Sequence, residues 1–218
     1  MDAGQVDHVP QRQDGQLLPL PGQAAVALSV LGRLETDVGV ALLDDPSLAR
    51  ASYERDLSSV RYREAEPTGY AARLHYFSEW LASNADAGRV TLETAALGGT
   101  ADPERIDFMS THASAYDQLS DAEVLAAVRE VESHLNARGS RFVVQEGRIA
   151  DVAHGIRTGD VIAATSTVSG LDVAHTGLAV WVEGELHLLH APLVGITVVL
   201  SERPLAERIA GIGSQDGI

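Results

Sequence analysis

Two histidines in the C-terminal third of the chain have the residue type and spacing that acid–base chemistry requires. His175 and His190 lie on two stretches of alternating residues, and the Glu183-Gly184 pair between them is typical of a tight hairpin turn. Because a hairpin brings facing positions of its strands together, one imidazole could serve as a general base and the other could orient it. The alternative interpretation is that each histidine simply caps the core of its strand.

The alternation of side chains along these strands determines which residues share a face with each histidine. His175 shares a face with Gly177 and Ala179, whose small side chains leave room for a ligand. His187 and His190 are three residues apart on a strand, so they point to opposite faces and cannot chelate one metal ion together. No metal site and no cofactor is predicted.

The composition excludes several kinds of function. The chain has no cysteine and no lysine, which excludes thiolate catalysis, thiolate metal sites and lysine Schiff bases. Its formal net charge of -15 repels a phosphate backbone, so nucleic-acid binding is not expected. No apolar run reaches the roughly 18 residues that span a bilayer, and no secretory signal is recognisable at the start. We therefore expect a cytoplasmic protein with no membrane partner.

Hydrophobic periodicity predicts helices first and strands second. Residues 1–22 are predicted to form a flexible arm, and residues 23–218 a single domain. An amphipathic helix is predicted over 70–84, and a second helix follows the capping-box residues Ser120 to Glu123 and ends near Gly139. Strands are predicted over 142–144, 161–164, 177–182, 185–190 and 196–200. The predicted fold class is α+β, with N-terminal helices packed on a C-terminal antiparallel sheet.

The motifs together resemble the N-acetylmuramoyl-L-alanine amidase-like family, a branch of the NlpC-type papain-like hydrolases. The similarity extends from about residue 26 to the C-terminus and is carried by segments 60–63, 69–80, 107–110, 156–162, 170–177 and 186–191. It implies a papain-like fold in which a cysteine at a helix N-terminus packs against the sheet. It also implies that His175 is the base and His190 the residue that orients it.

The chain departs from the family where the nucleophile is expected. The family has an Asp-Cys-x-Thr run, whereas the apolar pattern here places Arg33 at the cysteine position and an ungapped count places it near Ser29. Ser29 could act as a weak nucleophile if His175 reaches it. Arg33 could hold an anion at a helix N-terminus, or could be an ordinary solvated side chain. Whether the cysteine was lost naturally or replaced stays open.

Several further residues are candidates for substrate binding or positioning. Arg73, His75, Tyr76 and Trp80 lie in a segment that resembles the substrate-side helix of the family, and Ser110 lies in a loop. His75 and Tyr76 fall outside the apolar stripe of the predicted helix, which favours a cleft position. Ser110 could line the same cleft or stabilise a local turn.

Asp172 precedes the first strand of the hairpin and is a candidate third member of the site. Its carboxylate could orient His175, or it could stabilise its own turn.

These residues predict a cysteine-free, altered amidase-like enzyme. It would use histidine acid–base chemistry on an acyl or peptide-like small molecule, for example in a condensation or cyclisation step of bacterial biosynthesis. One alternative is an inactive protein that binds a peptide or glycopeptide, and another is a serine-dependent amide hydrolase. The sequence does not indicate which oligomeric state the protein adopts.

Overall fold

The computed structural model describes residues 46–139, 141–192 and 197–218 of the 218-residue chain. The predicted arm 1–22, the start of the predicted domain and the candidate residues Ser29 and Arg33 lie outside these described residues. Six α-helices are present in the described part of the chain: α1 (Pro46–Arg61), α2 (Phe77–Asp86), α3 (Phe108–Thr111), α4 (Ala122–Ala137), α5 (Ile149–Val152) and α6 (Leu205–Ala210). None of them is long and apolar enough to cross a membrane.

The strands form two antiparallel sheets. The strands are β1 (Thr100–Asp102), β2 (Arg141–Val143), β3 (Val161–Thr165), β4 (Val173–Val182), β5 (Glu185–His190) and β6 (Val199–Leu200). β1 pairs with β2, and the other four strands are adjacent in the order in which they occur in the chain. The predicted α+β class with antiparallel sheets is confirmed. β6 is shorter than the strand predicted over 196–200, part of which lies outside the described residues.

The turn between β4 and β5 sets the register of the central hairpin. Glu183 and Gly184 both have positive φ angles, of 50° and 87°, as a type I′ turn requires. Val182 therefore faces Glu185 across the turn. Continued pairing from this point brings the start of β4 beside the end of β5.

The four-stranded sheet is covered on both faces. One face, which we call the α6 face, packs buried residues of the strands against α5 and α6; this cluster includes Ile149, Ile162, Ala164, Ala179, Leu188, Leu205 and Ile209. The other, the α2 face, packs Val161, Ala163 and Val173 against Leu74, Phe77 and Trp80. The alternation of residues 161 to 164 between the two clusters follows the period-2 geometry of a strand.

Helix α2 begins later than the hydrophobic pattern predicts. Only a 3-10 turn, Tyr70–Ala72, is present at the predicted start, and the helix begins at Phe77. The residues between them are drawn into pairing with the end of α1, where the Leu74 amide donates to the Arg61 carbonyl over 2.9 Å. A tertiary hydrogen bond therefore overrides the helical periodicity of this segment.

Helix α4 is capped one residue later than predicted. Asp121, and not Ser120, is the N-cap, and its carboxylate accepts the amides of Glu123 at 2.8 Å and Val124 at 3.4 Å. The helix ends at Ala137, as the glycine at position 139 predicts, since Gly139 has a φ of 103°.

The α6 face should carry a large share of the stability, because Leu188 on it is fully buried. Leu188→Ala is expected to lower the free energy of unfolding by about 2–5 kcal/mol. The same change at Leu92, which is 56% exposed, should cost less than about 1 kcal/mol. Urea unfolding of both variants measures the difference, and equal losses would contradict this description of the core.

Candidate functional site

The two histidines singled out in the sequence meet at the open end of the β4–β5 hairpin. The Nε2 atom of His175 lies 2.8 Å from the Nδ1 atom of His190, and the ring planes are nearly perpendicular at 84°. A contact of this kind needs an N–H on one ring and a lone pair on the other. The two imidazoles are thus close together, as expected. Their catalytic roles stay a prediction.

Burial and a nearby cation keep both imidazoles uncharged. His190 is only 9% exposed, and His175 is half-buried. Burial first, and then the guanidinium of Arg208, lower the pKa of each ring to about 4, with His190 also lowering the pKa of His175. The pair is therefore neutral at neutral pH, which is the protonation state that a general base needs.

The small residues beside His175 do not open a space for a ligand, contrary to the prediction. A Cβ atom on Gly177 would lie 2.6 Å from the Leu189 carbonyl oxygen and 2.8 Å from the Leu188 side chain. Ala179 is fully buried. Close packing across the hairpin therefore explains the small residues at these positions, and a ligand must approach the pair from another direction.

His187 points to the opposite face from His190, as the alternation predicts. Its Nδ1 atom donates to the Ser201 carbonyl over 2.8 Å, which joins β5 to the chain after β6. Within the described residues, no group of three or more histidine, aspartate or glutamate side chains is arranged to hold a metal ion.

Arg208 is a member of the site that sequence reasoning missed. It lies on α6 between Leu205 and Ile209, both fully buried on the α6 face, and it is half-buried itself. One guanidinium nitrogen donates to the Gln215 side-chain oxygen over 3.1 Å. The helical spacing of Arg208 from Leu205 is the signal that could have revealed it, because it places a charge on the apolar side of the helix.

Asp172 stabilises a helix end. Its side chain is almost fully buried and accepts the amide of Ser78, in the first turn of α2, at 2.7 Å and the amide of Val173 at 2.9 Å. Burial raises the pKa of this carboxyl group. In the described part of the chain, Asp172 makes no hydrogen bond to His175. Its contacts support the helix-capping role and not the orienting role.

His75 and Arg73 lie in the extended segment that leads into α2. The Nε2 atom of His75 donates to the Tyr70 carbonyl over 2.7 Å, and burial lowers the pKa of the ring to about 4. Burial lowers the pKa of Arg73 too, and the neighbouring Arg61 adds to this effect. Both side chains are half-buried, and their role in substrate binding stays a prediction.

Among the described residues, no hydrogen bond joins Tyr76, Trp80 or Ser110 to the histidine pair, and Tyr76 and Trp80 lie in other clusters of the core. Tyr76 is 3% exposed, and its hydroxyl donates to a Glu132 carboxylate oxygen over 2.7 Å. Burial first, and then Glu132, raise the pKa of the phenol. The Ser110 amide donates to the same oxygen over 2.9 Å. Trp80 is buried on the α2 face, whereas the partners of His175 across the hairpin lie on the α6 face. Tyr76 and Trp80 therefore belong to the core, and the half-buried Ser110 stabilises the local turn of α3.

The sequence matches one family model over most of its length. The model is that of the AmiA-like, N-acetylmuramoyl-L-alanine amidase-like proteins, and it matches residues 36–213. None of the curated proteins is significantly similar to the chain.

Solved structures from bacteria of the genus Bacteroides share this fold. An N-acetylmuramoyl-L-alanine amidase from Bacteroides uniformis is 30% identical, with 77% of this chain and 71% of that chain covered and a TM-score of 0.71. Another structure of such an amidase from that organism is 27% identical, with coverages of 89% and 80% and a TM-score of 0.79. A Bacteroides fragilis protein provisionally assigned as a xylanase is 28% identical, with coverages of 89% and 83% and a TM-score of 0.77.

The electrostatics of the pair predict an unusual titration. Both rings should stay neutral through pH 6 and gain protons near pH 4, whereas unfolded histidine titrates near 6.5. The folded pair binds protons more weakly than the same histidines in the unfolded chain. The free energy of unfolding therefore decreases as the pH falls from about 6.5 towards 4.

NMR titration of the ring nitrogens measures the two midpoints. Arg208→Gln should raise both of them, because it removes the cation that disfavours protonation of the rings. Arg203→Gln, an exposed control just before α6, should leave them unchanged. Midpoints near 6.5 in the unaltered protein would contradict this description of the site.

The capping role of Asp172 gives a second prediction. Asp172→Ala should lower the free energy of unfolding by about 1–3 kcal/mol, because two amides lose a buried acceptor. Asp121→Ala, which removes the exposed cap of α4, should cost about 1 kcal/mol. Thermal unfolding measures both losses. Ring signals of His175 that move in Asp172→Ala but not in Asp121→Ala would instead favour the orienting role.

Proposed function

Because the chain belongs to the AmiA-like, N-acetylmuramoyl-L-alanine amidase-like family, we propose that His175 and His190 form the proton-transfer centre of an amide-processing enzyme that works without a cysteine. The observation that carries this proposal is the 2.8 Å contact between the two imidazoles. The contact satisfies one nitrogen of each ring, and the remaining ring nitrogens are not among the buried atoms that lack a partner, which leaves them available for proton transfer.

The proposed substrate is peptide-like. The family and the Bacteroides uniformis structures are named for the amide bond between N-acetylmuramic acid and L-alanine. We therefore infer that this chain acts on that bond or on a similar amide of a small acyl or peptide-like molecule. The net charge of -15 disfavours a nucleic acid as the ligand.

The geometry suggests how the pair would move a proton. When Nε2–H of His175 donates to Nδ1 of His190, the remaining nitrogen of His175, Nδ1, holds the lone pair that acts as the base. It takes a proton from a water molecule as the water oxygen bonds to the amide carbon. It then returns that proton to the departing nitrogen as the C–N bond breaks. An imidazolium of low pKa gives up its proton readily, which suits the second step.

A papain-like, NlpC-type arrangement is part of the proposal. The order of helices followed by an antiparallel sheet is compatible with it, and the two histidines lie on neighbouring strands. In that arrangement Arg33 or Ser29 takes the position of the family's cysteine. Removal of the thiol suppresses a thioester route, and the same base could then serve a condensation or cyclisation in biosynthesis.

Replacement of the base tests the proposal. His175→Ala should lower the rate of cleavage of an N-acetylmuramoyl-L-alanyl peptide by about 10²-fold or more, because general acid–base catalysis contributes that much. His154→Ala, which removes an exposed histidine from another part of the chain, should leave the rate unchanged. Chromatography with mass detection measures cleaved and cyclised products separately.

Two outcomes would contradict the proposal. One is unchanged turnover in His175→Ala. The other is an acylated protein in intact-mass spectra that disappears in Ser29→Ala, which would instead establish the serine-dependent hydrolase.

A binding protein is the second candidate, favoured by the absence of cysteine from a chain of an amidase-like family. In that case the same peptide should raise the melting temperature and be recovered intact. Turnover that depends on His175 would exclude this candidate.

A further inference from the structure

Arg208 is a half-buried cation that has no carboxylate partner among the described residues. Among the described residues, no aspartate or glutamate oxygen lies within 4 Å of its guanidinium nitrogens. Its hydrogen bond to a side chain goes to the neutral amide of Gln215. This is unexpected in a chain that has 31 acidic residues and only 16 basic ones.

Packing places Arg208 at the same end of the sheet as the histidines. Leu205 and Ile209 hold α6 against the α6 face. Gln215, which accepts from Arg208, forms a backbone bridge with Ser166, the residue that follows β3. β3 in turn pairs with β4 at Ala164 and His175. The position of the guanidinium is thus tied to that of the histidine pair through the backbone.

In the described part of the chain, two other half-buried arginines, Arg61 and Arg73, form no ion pair with a carboxylate. Arg61 and Arg73 neighbour each other before α2, and neither of them affects the pKa of His175 or His190. Arg208 affects both rings. Together with the backbone path from Gln215 through Ser166 to β3, this places Arg208 near the histidine pair.

The guanidinium of Arg208 is partly buried and has no opposite charge beside it among the described residues. Burial lowers the pKa of Arg208, which reflects the cost of keeping its charge away from water. The neutral imidazoles cannot balance this charge, and among the described residues one side-chain acceptor, Gln215, bonds to the guanidinium. No nitrogen of this guanidinium is buried without a partner. A carboxylate would supply both the missing charge and paired acceptors, since the planar guanidinium matches its geometry.

We propose that Arg208 binds a carboxylate of the substrate beside the His175–His190 pair, so that the preferred substrate is an acid. The proposal rests on the proposed function for the identity of the substrate, because a peptide-like amide with a free carboxylate nearby fits both groups. Arg208 is then a specificity-determining residue, and the histidines carry out the proton transfer.

Two ligands that differ only in the carboxylate test this proposal. N-acetylmuramoyl-L-alanine and its C-terminal primary amide are titrated into the unaltered protein, and the ring signals of both histidines are followed by NMR. The acid should bind about tenfold more tightly or better, as a charge-assisted hydrogen bond implies. This comparison does not depend on the folding of any variant.

Variants then assign the preference to one side chain. Arg208→Gln should abolish the preference for the acid, and Arg203→Gln, the exposed control, should keep it. Equal affinity for the two ligands, a preference that survives in Arg208→Gln, or no binding of either ligand would overturn the proposal. The ligand signals in the same spectra show whether the amide bond is cleaved, so failure of the proposed function is recorded separately from failure of this inference.

Discussion

The hydrogen bond between His175 and His190 depends on the register of one hairpin. Glu183 and Gly184 adopt the left-handed angles of a type I′ turn, and this turn fixes which residues of β4 and β5 face each other. A slip of one residue would move every side chain of one strand to the other face and separate the rings. The geometry of the site therefore depends on a turn that lies at the opposite end of the hairpin.

Packing around the hairpin explains why the two rings are partly or largely buried and lie near a cation. Leu188 fills the space beside Gly177, and α6 brings Arg208 to the rings on the same side of the sheet. The rings are neutral because they are buried near a cation, and the cation lacks a counter-charge among the described residues. Neutral bases beside a guanidinium that has no counter-charge among the described residues suit a substrate that carries a carboxylate next to the amide bond to be cleaved.

Local patterns in the sequence predicted the hairpin, because its turn residues and strand alternation are both short-range signals. The start of α2 was not predictable in this way, because the Leu74 amide donates to the distant Arg61 carbonyl and not to a carbonyl of the helix. Tyr76 was misplaced for a similar reason, because its partner Glu132 is 56 residues away. The spacing of Arg208 could have shown that a charge lies on an apolar helix face, but its role depends on where α6 docks, which no local pattern specifies.

A double-mutant cycle on His175 and His190 tests the central claim most directly. If the two imidazoles act as one proton-transfer unit, His175→Ala, His190→Ala and the double variant should lower kcat/KM for the N-acetylmuramoyl-L-alanyl peptide by nearly the same factor. Losses that multiply in the double variant would show that the rings act independently, and that result would contradict the account.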